Sequence, residues 1–308
     1  MASLVRRTAR REDEQQSLEI YNAVWPMDAV TMKEVDSFKE STVAYADHLA
    51  WLDDKPVGSG FVAVQPQRPD VGRAGLIVLP SFRRRGLGTA LYREVSRWCA
   101  ARGVETIEAA VAEDDEASYT YATRRGFVEV ERNGRMILDL TALEPAPVDA
   151  PPEIDILTWA ERPELAEGIY RVAVEAYADV PGAENEEMES FDDWLAHDMR
   201  GSGDRPEATF VALAGDEVVG YAKFSLTAAQ PSIAHHDMTG VKRAWRGRGI
   251  AGALKRAQIG WAKQQGYEHL ATSNELRNAP IRRLNARLGY RPMPGRVLMR
   301  GPLLVPSD

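Results

Sequence analysis

Hydrophobic and polar positions follow the same order twice along this chain. Stretches of alternating polarity, such as ATFVALA and EVVGYAKFSL, predict strands, and stretches with a period of about 3.6 residues, such as GIAGALKRAQIGWAKQQG, predict helices. Each half reads as a strand, one or two helices, three strands, a helix, a strand, a helix and two closing strands. Strands joined by short turns are antiparallel, whereas strands joined through a helix are parallel. The pattern therefore predicts an α/β fold with a mixed, mostly antiparallel sheet flanked by helices in each half.

A constant offset relates the two halves. Val78 recurs 163 residues later as Val241, and Gly126 recurs at the same spacing as Gly289. An offset that is maintained over about fifty residues indicates an internal duplication.

The length of the chain, 308 residues, also fits two domains. Between the halves, the stretch LEPAPVDAPPE holds four prolines and little that could be buried, so it predicts an extended linker. We expect an N-terminal domain at 1–143, a linker at 144–152 and a C-terminal domain at 153–308.

Composition and charge narrow the functional classes. The chain is 44% hydrophobic, enough to bury a core, and its net charge of −8 argues against a nucleic-acid binder, which needs a basic face. Cys99 is the single cysteine, so neither an internal disulfide nor a thiolate metal cluster can form, and we expect no metal. The sequence has no apolar run of membrane-spanning length and no apolar signal-peptide core near its start. We therefore expect a cytoplasmic protein with no membrane or nucleic-acid partner, as a monomer or a homodimer.

A loop rich in glycine and arginine follows a predicted strand in each half: SFRRRGLGTAL and AWRGRGIAGAL. Small residues let successive N–H groups at a helix start face a pyrophosphate, and the helix dipole favours its charge. The second loop also matches G-x-G-x-x-G, but a dinucleotide loop opens the first strand–helix unit of its domain, and this loop comes later. The candidate phosphate-binding residues are Arg83, Arg84, Arg85, Gly86, Leu87 and Gly88, and Arg246, Gly247, Arg248, Gly249, Ile250 and Ala251.

The Arg-x-x-Gly-x-Gly/Ala pattern of both loops resembles the CoA pyrophosphate motif of the GNAT superfamily of acyl-CoA-dependent N-acyltransferases. The resemblance covers both halves and implies two tandem GNAT-type domains that use acetyl-CoA. In each, the fourth and fifth strands splay apart, and the pantetheine arm of CoA pairs with the fourth strand. The resemblance places Val78 and Val241 at the end of that strand, as CoA-binding residues.

The C-terminal half is most similar to a GNAT subgroup with the pattern T-x-V…R-G-x-G…T-x-N-x-x-x-N…N-x-x-L-G-Y/F. This similarity adds Thr239, Asn274 and Asn278 to the expected CoA-binding residues, although helix N-capping would equally explain Asn278. The first half has other residues at the asparagine positions. We therefore expect the C-terminal domain to be the active one, and the N-terminal domain to be structural or to bind CoA with little turnover.

Acetyl transfer to an amine requires a neutral amine, a donor for the oxyanion and a proton for the departing thiolate. The Val241 N–H is the candidate donor. Alternation along IAHHDMTGV places His235, Asp237, Thr239 and Val241 on one face of the strand and His236 on the other, and either His235 or Asp237 is the candidate base.

The acid is the step at which the sequence departs from the family pattern. The position where many GNAT members carry a tyrosine acid holds Asn285 in the second half and Ala122 in the first, with Tyr119 and Tyr121 nearby. An amide does not titrate, so Asn285 can orient the thioester but cannot protonate the sulfur.

The acceptor is the least specified part of the reaction. Nine acidic residues and no lysine or arginine lie between Val172 and Met199. They form either a field that attracts a cationic or polycationic amine or an ordinary solvated helix surface. The acidic residues in question are Glu175, Asp179, Glu184, Glu186, Glu187 and Asp192. We expect an N-acetyltransferase acting on a primary amine of a small molecule; a non-catalytic CoA-binding sensor and a protein lysine acetyltransferase are the alternatives.

Overall fold

The computed structural model describes residues 3–7, 10–181 and 188–304. The chain forms two compact units, of which the first comprises Met1–Arg132 and Pro294–Asp308, and the second Asn133–Met293. None of the helices in the described residues combines the length and apolar character that crossing a bilayer requires.

The helices and strands follow the predicted order. The chain first forms β1 (Ser3–Arg7), α1 (Arg11–Val24), α2 (Met32–Glu40), β2 (Ala44–Leu52), β3 (Lys55–Gln65), β4 (Arg68–Val78), α3 (Leu87–Ala100), β5 (Thr106–Ala112), α4 (Glu116–Thr123) and β6 (Val128–Asp139). It continues with β7 (Asp155–Thr158), α5 (Ala166–Tyr177), α6 (Phe191–His197), β8 (Thr209–Ala214), β9 (Glu217–Ser225), β10 (Ile233–Val241), α7 (Ile250–Gln264), β11 (His269–Glu275), α8 (Ala279–Arg287) and β12 (Arg291–Pro302). Short 3₁₀ turns lie at Pro26–Asp28, Pro80–Phe82, Pro163–Leu165, Pro206–Ala208 and Arg243–Trp245.

The sheet of the first unit has the strand order β1-β2-β3-β4-β5-β12, with residues 294–302 of β12 as its last strand. β4 and β5 are parallel and pair from Val71 opposite Thr106 to Ala74 opposite Ala109. Beyond that point β4 continues to Val78 and β5 to Ala112 without pairing with each other, so the two strands splay apart.

The second unit repeats this plan, with the strand order β6-β11-β10-β9-β8-β7 and residues 133–139 as its first strand. β10 and β11 are parallel and pair from Ile233 opposite His269 to His236 opposite Thr272, and then splay apart. The predicted mixed sheet, with splayed fourth and fifth strands, is therefore confirmed in each unit.

Close helix packing explains the glycine pair of β3. A Cβ atom built on Gly58 or Gly60 would lie 3.0–3.3 Å from the side chain of Leu91 in α3. Leu91 is fully buried. The absent side chains thus allow α3 to lie against one face of the sheet, and α1 packs on the opposite face.

The bounds of the units differ from the expected 1–143, 144–152 and 153–308. Each predicted pair of closing strands is one continuous strand, β6 or β12, which passes from one unit into the other. The expected linker lies within the second unit and contains neither helix nor strand. Pairing of 296–302 with β5, far away in sequence, places the end of the chain in the first unit.

Candidate active sites at the splayed strands

An arginine fixes the end of the fourth strand in the same way in both units. Arg83 Nε donates to the Val78 carbonyl at 3.1 Å, and Arg246 Nε donates to the Val241 carbonyl at 2.9 Å. These two arginines therefore hold the strand end and the loop that follows it together.

The strand ends direct main-chain N–H groups into the gap. Neighbouring residues of a strand point their N–H groups to opposite sides. The Leu79 N–H donates to the Val57 carbonyl in β3 at 3.0 Å, so the N–H groups of Val78 and Leu76 point away from β3, toward the gap beside β5. The second unit repeats this arrangement at Val241.

Each loop leads into a helix start that no side chain caps. Left-handed backbone occurs at matching positions, with φ of 63° at Arg84 and 82° at Gly86, and of 78° at Gly247 and 91° at Gly249. Gly86 and Gly249 are the N-cap residues of α3 and α7, and neither helix has a side-chain capping bond. A Cβ atom at these glycines would meet nothing within 4 Å. The helix-start N–H groups thus face open space, as pyrophosphate binding requires.

A cavity of about 1390 Å³ lies in the first unit. It extends from the loop and the gap between β4 and β5 to the space under α1 and α2. Its acceptor side, under those helices, is rich in aromatic rings. They belong to Tyr21, Trp25, Phe38, Tyr45 and Phe61.

The Tyr121 hydroxyl lies in the wall of this cavity, near the loop and the strand end. Ala122 is buried in the core. The Tyr121 hydroxyl lies 3.3 Å from Thr89 Oγ1 and 3.8 Å from the position of a Cβ atom on Gly88, which would itself be 4.0 Å from Val78. A side chain at Gly88 would fill the space between the tyrosine and the strand end, so this glycine keeps the gap open.

The sequence predicted that His235 and Asp237 share one face of β10 with Thr239 and Val241. This prediction of a shared face is wrong. A β-bulge in β10 places Asp237 and Met238 opposite the single residue Lys223 of β9, so the alternation shifts by one residue. His235 bonds to Gln230, and Asp237 bonds to Lys223. Thr239 and Val241 lie on the other face, where Val241 packs against Ile250 and Leu254 of α7.

Lys223 closes the acceptor side of the second unit. Its side chain is 2% exposed and its Nζ contacts three carboxylates, at 2.8 Å from Asp204, 2.8 Å from Asp237 and 3.3 Å from Asp198. The three negative charges raise the pKa of Lys223 against the effect of burial, so it stays charged. Lys223 pairs with Thr209 as Phe61 pairs with Asp47 in the first unit. An ion cluster therefore lies at the sheet position that Phe61 occupies in the cavity wall of the first unit.

Two of the three candidate asparagines of the second unit bond to each other. Asn285 is fully buried and donates from Nδ2 to Asn274 Oδ1 at 3.0 Å. Asn278 is the N-cap residue of α8, but its side chain makes no capping bond. The structure therefore brings Asn274 and Asn285 together, and leaves Asn278 at the helix start.

A buried polar cluster of His236, Gln258 and Tyr290 lies beside Asn285, and the sequence did not identify it. His236 Nδ1 is 3.0 Å from Gln258 Oε1, and its Nε2 contacts the Tyr290 hydroxyl. Burial lowers the pKa of His236, which is neutral, and lowers the pKa of Lys255 to about 7. Lys255 and Gln258 occupy the buried face of α7, and polar residues on such a face were the available signal.

The expected acidic field is partly neutralised. Asp179 binds Arg243 and Arg246 at 2.6–2.7 Å, which lowers the pKa of Asp179 to about 2, and Glu175 accepts from the Arg243 N–H. Asp192 lies in the first turn of α6. Glu184, Glu186 and Glu187 lie outside the described residues.

The loop arginines have three different surroundings. Arg83 bonds to Asp115 at 2.9 Å and Arg246 to Asp179, so both are held by carboxylates. Arg85 lies over the Phe82 ring and Arg248 over the Trp245 ring, whereas the exposed Arg84 has the left-handed backbone.

The cavity of the first unit also contains a buried carboxylate that the sequence reading missed. Asp47 Oδ1 accepts from Ser17 Oγ at 2.9 Å and from the His48 N–H at 2.8 Å, and Ser17 Oγ lies 2.6 Å from Ser59 Oγ. Burial raises the pKa of Asp47 to about 7. The single carboxylate in the mostly apolar stretch AYADHLAWL was the signal that could have identified it.

Each unit has a forked sheet with an open helix start beside the fork, a geometry that suits a ligand carrying a pyrophosphate. The chain belongs to the acetyltransferase (GNAT) family, whose family model matches residues 11–127 and 166–290. The chain is therefore an acyl-CoA-dependent acetyltransferase, and members of this family generally use acetyl-CoA.

Individual relatives agree with this family. The chain is 41% identical over 71 residues to the acetyl transferase GW6a of Oryza sativa subsp. japonica, which covers 23% of this chain and only 17% of the rice protein. It is 27% identical over 259 residues to the mycothiol acetyltransferase of Acidothermus cellulolyticus, covering 79% of this chain and 76% of that protein. The solved tandem GNAT protein from the clavulanic acid biosynthesis pathway matches with a TM-score of 0.79 and 20% identity over 100% of both chains, which shows a shared tandem fold.

Proposed function

We propose that the chain transfers the acetyl group of acetyl-CoA to the primary amine of a small molecule. The cavity of the first unit carries this proposal, because it joins the loop and the forked strands to a space under α1 and α2. Its volume, about 1390 Å³, exceeds the roughly 300–1,000 Å³ of a pocket for one small ligand. It can hold an acceptor beside the acyl-bearing arm of CoA. The relative named a mycothiol acetyltransferase supports an acceptor of this size.

We place the transfer in the first unit, although the sequence favoured the C-terminal domain. In the first unit the loop opens into the cavity, whereas in the second unit the Lys223 cluster occupies the corresponding side of the sheet. Because the second loop has the same conformation as the first, we propose that it also binds CoA.

The walls of the cavity favour an acceptor with an apolar or aromatic body over a polycation. Tyr45 and Phe61 stack with their ring centroids 6.5 Å apart, and Tyr21 lies 6.3 Å from Phe61. Lys39 Nζ lies 5.1 Å from the centre of the Tyr45 ring and 2.7 Å from Glu14, so this carboxylate is already neutralised and attracts a second ammonium group only weakly.

The reaction needs few groups from the chain. The amine nitrogen forms a bond to the thioester carbon, the carbon–sulfur bond breaks, and one proton leaves the nitrogen. The gap-facing N–H groups of Leu76 and Val78 would stabilise the negative charge on the carbonyl oxygen. The Tyr121 hydroxyl would supply the proton that the departing sulfur takes up.

The test is a pair of glycine substitutions, Gly86→Glu and Gly249→Glu. Each adds a carboxylate and a side chain where the loop would hold a pyrophosphate, so CoA affinity at that loop should fall by about 2–3 kcal/mol or more, about a hundredfold. Calorimetry should show two CoA sites per wild-type chain and one tight site in either variant. Only Gly86→Glu should abolish acetylation of 2-phenylethylamine, measured by CoA release.

Gly103→Glu and Gly266→Glu are matched controls. These glycines have φ of 72° and 83° and open space around them, so the substitutions cause the same backbone strain at the opposite ends of α3 and α7. Turnover that survives Gly86→Glu but not Gly249→Glu would move the transfer to the second unit. Undiminished CoA binding in the double variant Gly86→Glu/Gly249→Glu would exclude both loops as CoA sites.

A further inference from the structure

We propose that Asp47 is the general base of the first unit, and that it receives the proton of the acceptor amine through the hydroxyl groups of Ser59 and Ser17. The proposal rests on the proposed acetyl transfer in this unit. It assigns the catalytic proton transfer to β2, α1 and β3, away from the fourth strand.

The three side chains form one continuous hydrogen-bonded path in the wall of the cavity. Ser17 Oγ donates to Asp47 Oδ1 at 2.9 Å, and the oxygens of Ser17 and Ser59 are 2.6 Å apart. All three side chains line the cavity and are at most 6% exposed. Because the Ser17 proton is used toward Asp47, Ser59 donates to Ser17, and the remaining lone pairs of Ser59 can accept a proton from outside the path.

The sheet places the open end of this path beside the fork. Ser59 of β3 is directly opposite Ile77 of β4, which lies between Leu76 and Val78, the residues whose N–H groups face the gap. Neighbouring strands lie about 4.8 Å apart. The gap lies just beyond β4, so water links an amine that approaches a thioester there to Ser59 Oγ, and such a water returns to its neutral form after passing the proton on. Asp47 itself is two strands away from β4, and the serines span that distance.

The proton balance is simple. The acceptor gives one proton to Ser59, Ser59 gives its own to Ser17, and Ser17 gives its own to the Asp47 carboxylate. Each serine ends as a neutral hydroxyl, Asp47 ends protonated, and the amine nitrogen is left with the lone pair that forms the new bond to the acetyl carbon.

The surroundings of Asp47 suit a base that works near neutral pH. Burial raises the pKa of Asp47 to about 7, where a general base is half ionised and still basic enough to act. The other titratable groups on this side are Glu14 of α1 and Lys39 of α2, which form an ion pair at 2.7 Å, and Tyr45, whose pKa burial raises. His48 points its ring to the Gly60 carbonyl.

The experiment measures pH–rate profiles with 2-phenylethylamine and acetyl-CoA for wild type, Asp47→Asn, Ser17→Ala and Ser59→Ala. Each variant should lower kcat by about a hundredfold or more near pH 7, with KM for acetyl-CoA and its calorimetric affinity unchanged. The loss should shrink above the pKa of the amine, where the acceptor is neutral without a base. Ser17→Thr, which keeps the hydroxyl, should recover most of the rate.

Ser96→Ala is the matched control, because Ser96 is an equally buried serine of this unit that bonds to the Leu304 N–H, away from the cavity. Losses of rate that are equal at all pH values, or equal in Ser96→Ala, would overturn the relay and assign the serines a structural role. If Asp47→Asn turns over at the wild-type rate, the relay is overturned and the proposed acetyl transfer is not. A wild-type chain that binds acetyl-CoA but acetylates no amine would contradict the proposed function, and the relay with it.

Discussion

At the scale of single residues, Asp47 shows how a site position works against stability. Its carboxylate is buried beside hydroxyl and amide donors, and the folded state holds its proton up to a pH of about 7. The unfolded chain releases that proton at its ordinary pKa of 3.8. Between these values the folded state binds more protons, so stability decreases as the pH rises through this window and is constant above it.

Asp47→Asn cannot ionise and should remove this pH dependence. Because one pKa unit corresponds to about 1.4 kcal/mol, the variant should gain about 2–3 kcal/mol relative to wild type between about pH 5 and about pH 8. Urea unfolding of both proteins at the two pH values measures the change, and any loss of a hydrogen bond that does not depend on pH cancels in the comparison. An equal difference in stability at both pH values would show that Asp47 ionises normally in the folded chain.

Tyr121 is the residue-scale candidate for the proton donor. Its hydroxyl faces the gap between the loop and the strand end, while its neighbour Ala122 points into the core. Tyr121→Phe should lower kcat by about ten- to a hundredfold, since one proton donor is lost while the ring and its packing remain. Single-turnover rates with acetyl-CoA measure this, with Tyr119→Phe as the control on the same helix. Equal rates in wild type and Tyr121→Phe would leave protonation of the sulfur to water.

At the scale of elements, the sequence predicted what is decided locally. The two loops were identified because a strand end, small residues and a helix start follow one another within about ten residues. The β-bulge at Asp237 was not predictable from alternation, since a bulge depends on the partner strand and here lies opposite the buried Lys223. The position that the family pattern marks, Ala122, packs in the core, whereas the tyrosine hydroxyl near the strand end belongs to Tyr121, one residue earlier.

The relay lay beyond the same local reasoning. Ser17, Asp47 and Ser59 come from three elements, and only the packing of α1 on β2 and β3 brings them together. Sequence could indicate Asp47 as a charge in an apolar strand, but it could not indicate the path through two serines. The duplicated pattern also hid a difference between the units. Phe61 and Lys223 occupy equivalent sheet positions, but Phe61 lines a cavity and Lys223 contacts three carboxylates.

At the scale of the whole molecule, the compact units do not coincide with the two halves of the sequence. The last strand of the first unit comes from residues 294–302, which pair with β5 from Arg296 opposite Ala112 to Pro302 opposite Thr106. This pairing joins segments from different halves of the sequence, and the apolar pattern of either half alone does not encode it. A cut within the Pro-rich stretch would therefore remove a strand from the first unit.

Removal of residues 294–308 should unfold the first unit selectively. Val297 and Met299 are at most 1% exposed, and burial of side chains of this kind contributes about 1.5–3 kcal/mol each. Arg300 binds the buried Glu108 at 2.6 Å, and the Tyr92 hydroxyl donates to the Pro302 carbonyl. These losses are comparable with the total stability of a domain, about 5–15 kcal/mol.

Calorimetry of the truncated chain should therefore show one CoA site, against the two expected in wild type, together with the loss of acetylation. Removal of 305–308 alone is the control and should preserve both sites, because it retains the strand and the bond from the Leu304 N–H to Ser96. A synthetic peptide of residues 294–308 should restore the second site and the activity when it is added to the truncated chain, since the missing strand is the only part of the first unit that was removed. Two CoA sites in the truncated chain without the peptide would show that the first unit folds without its last strand, and that the domain bounds expected from the sequence are sufficient.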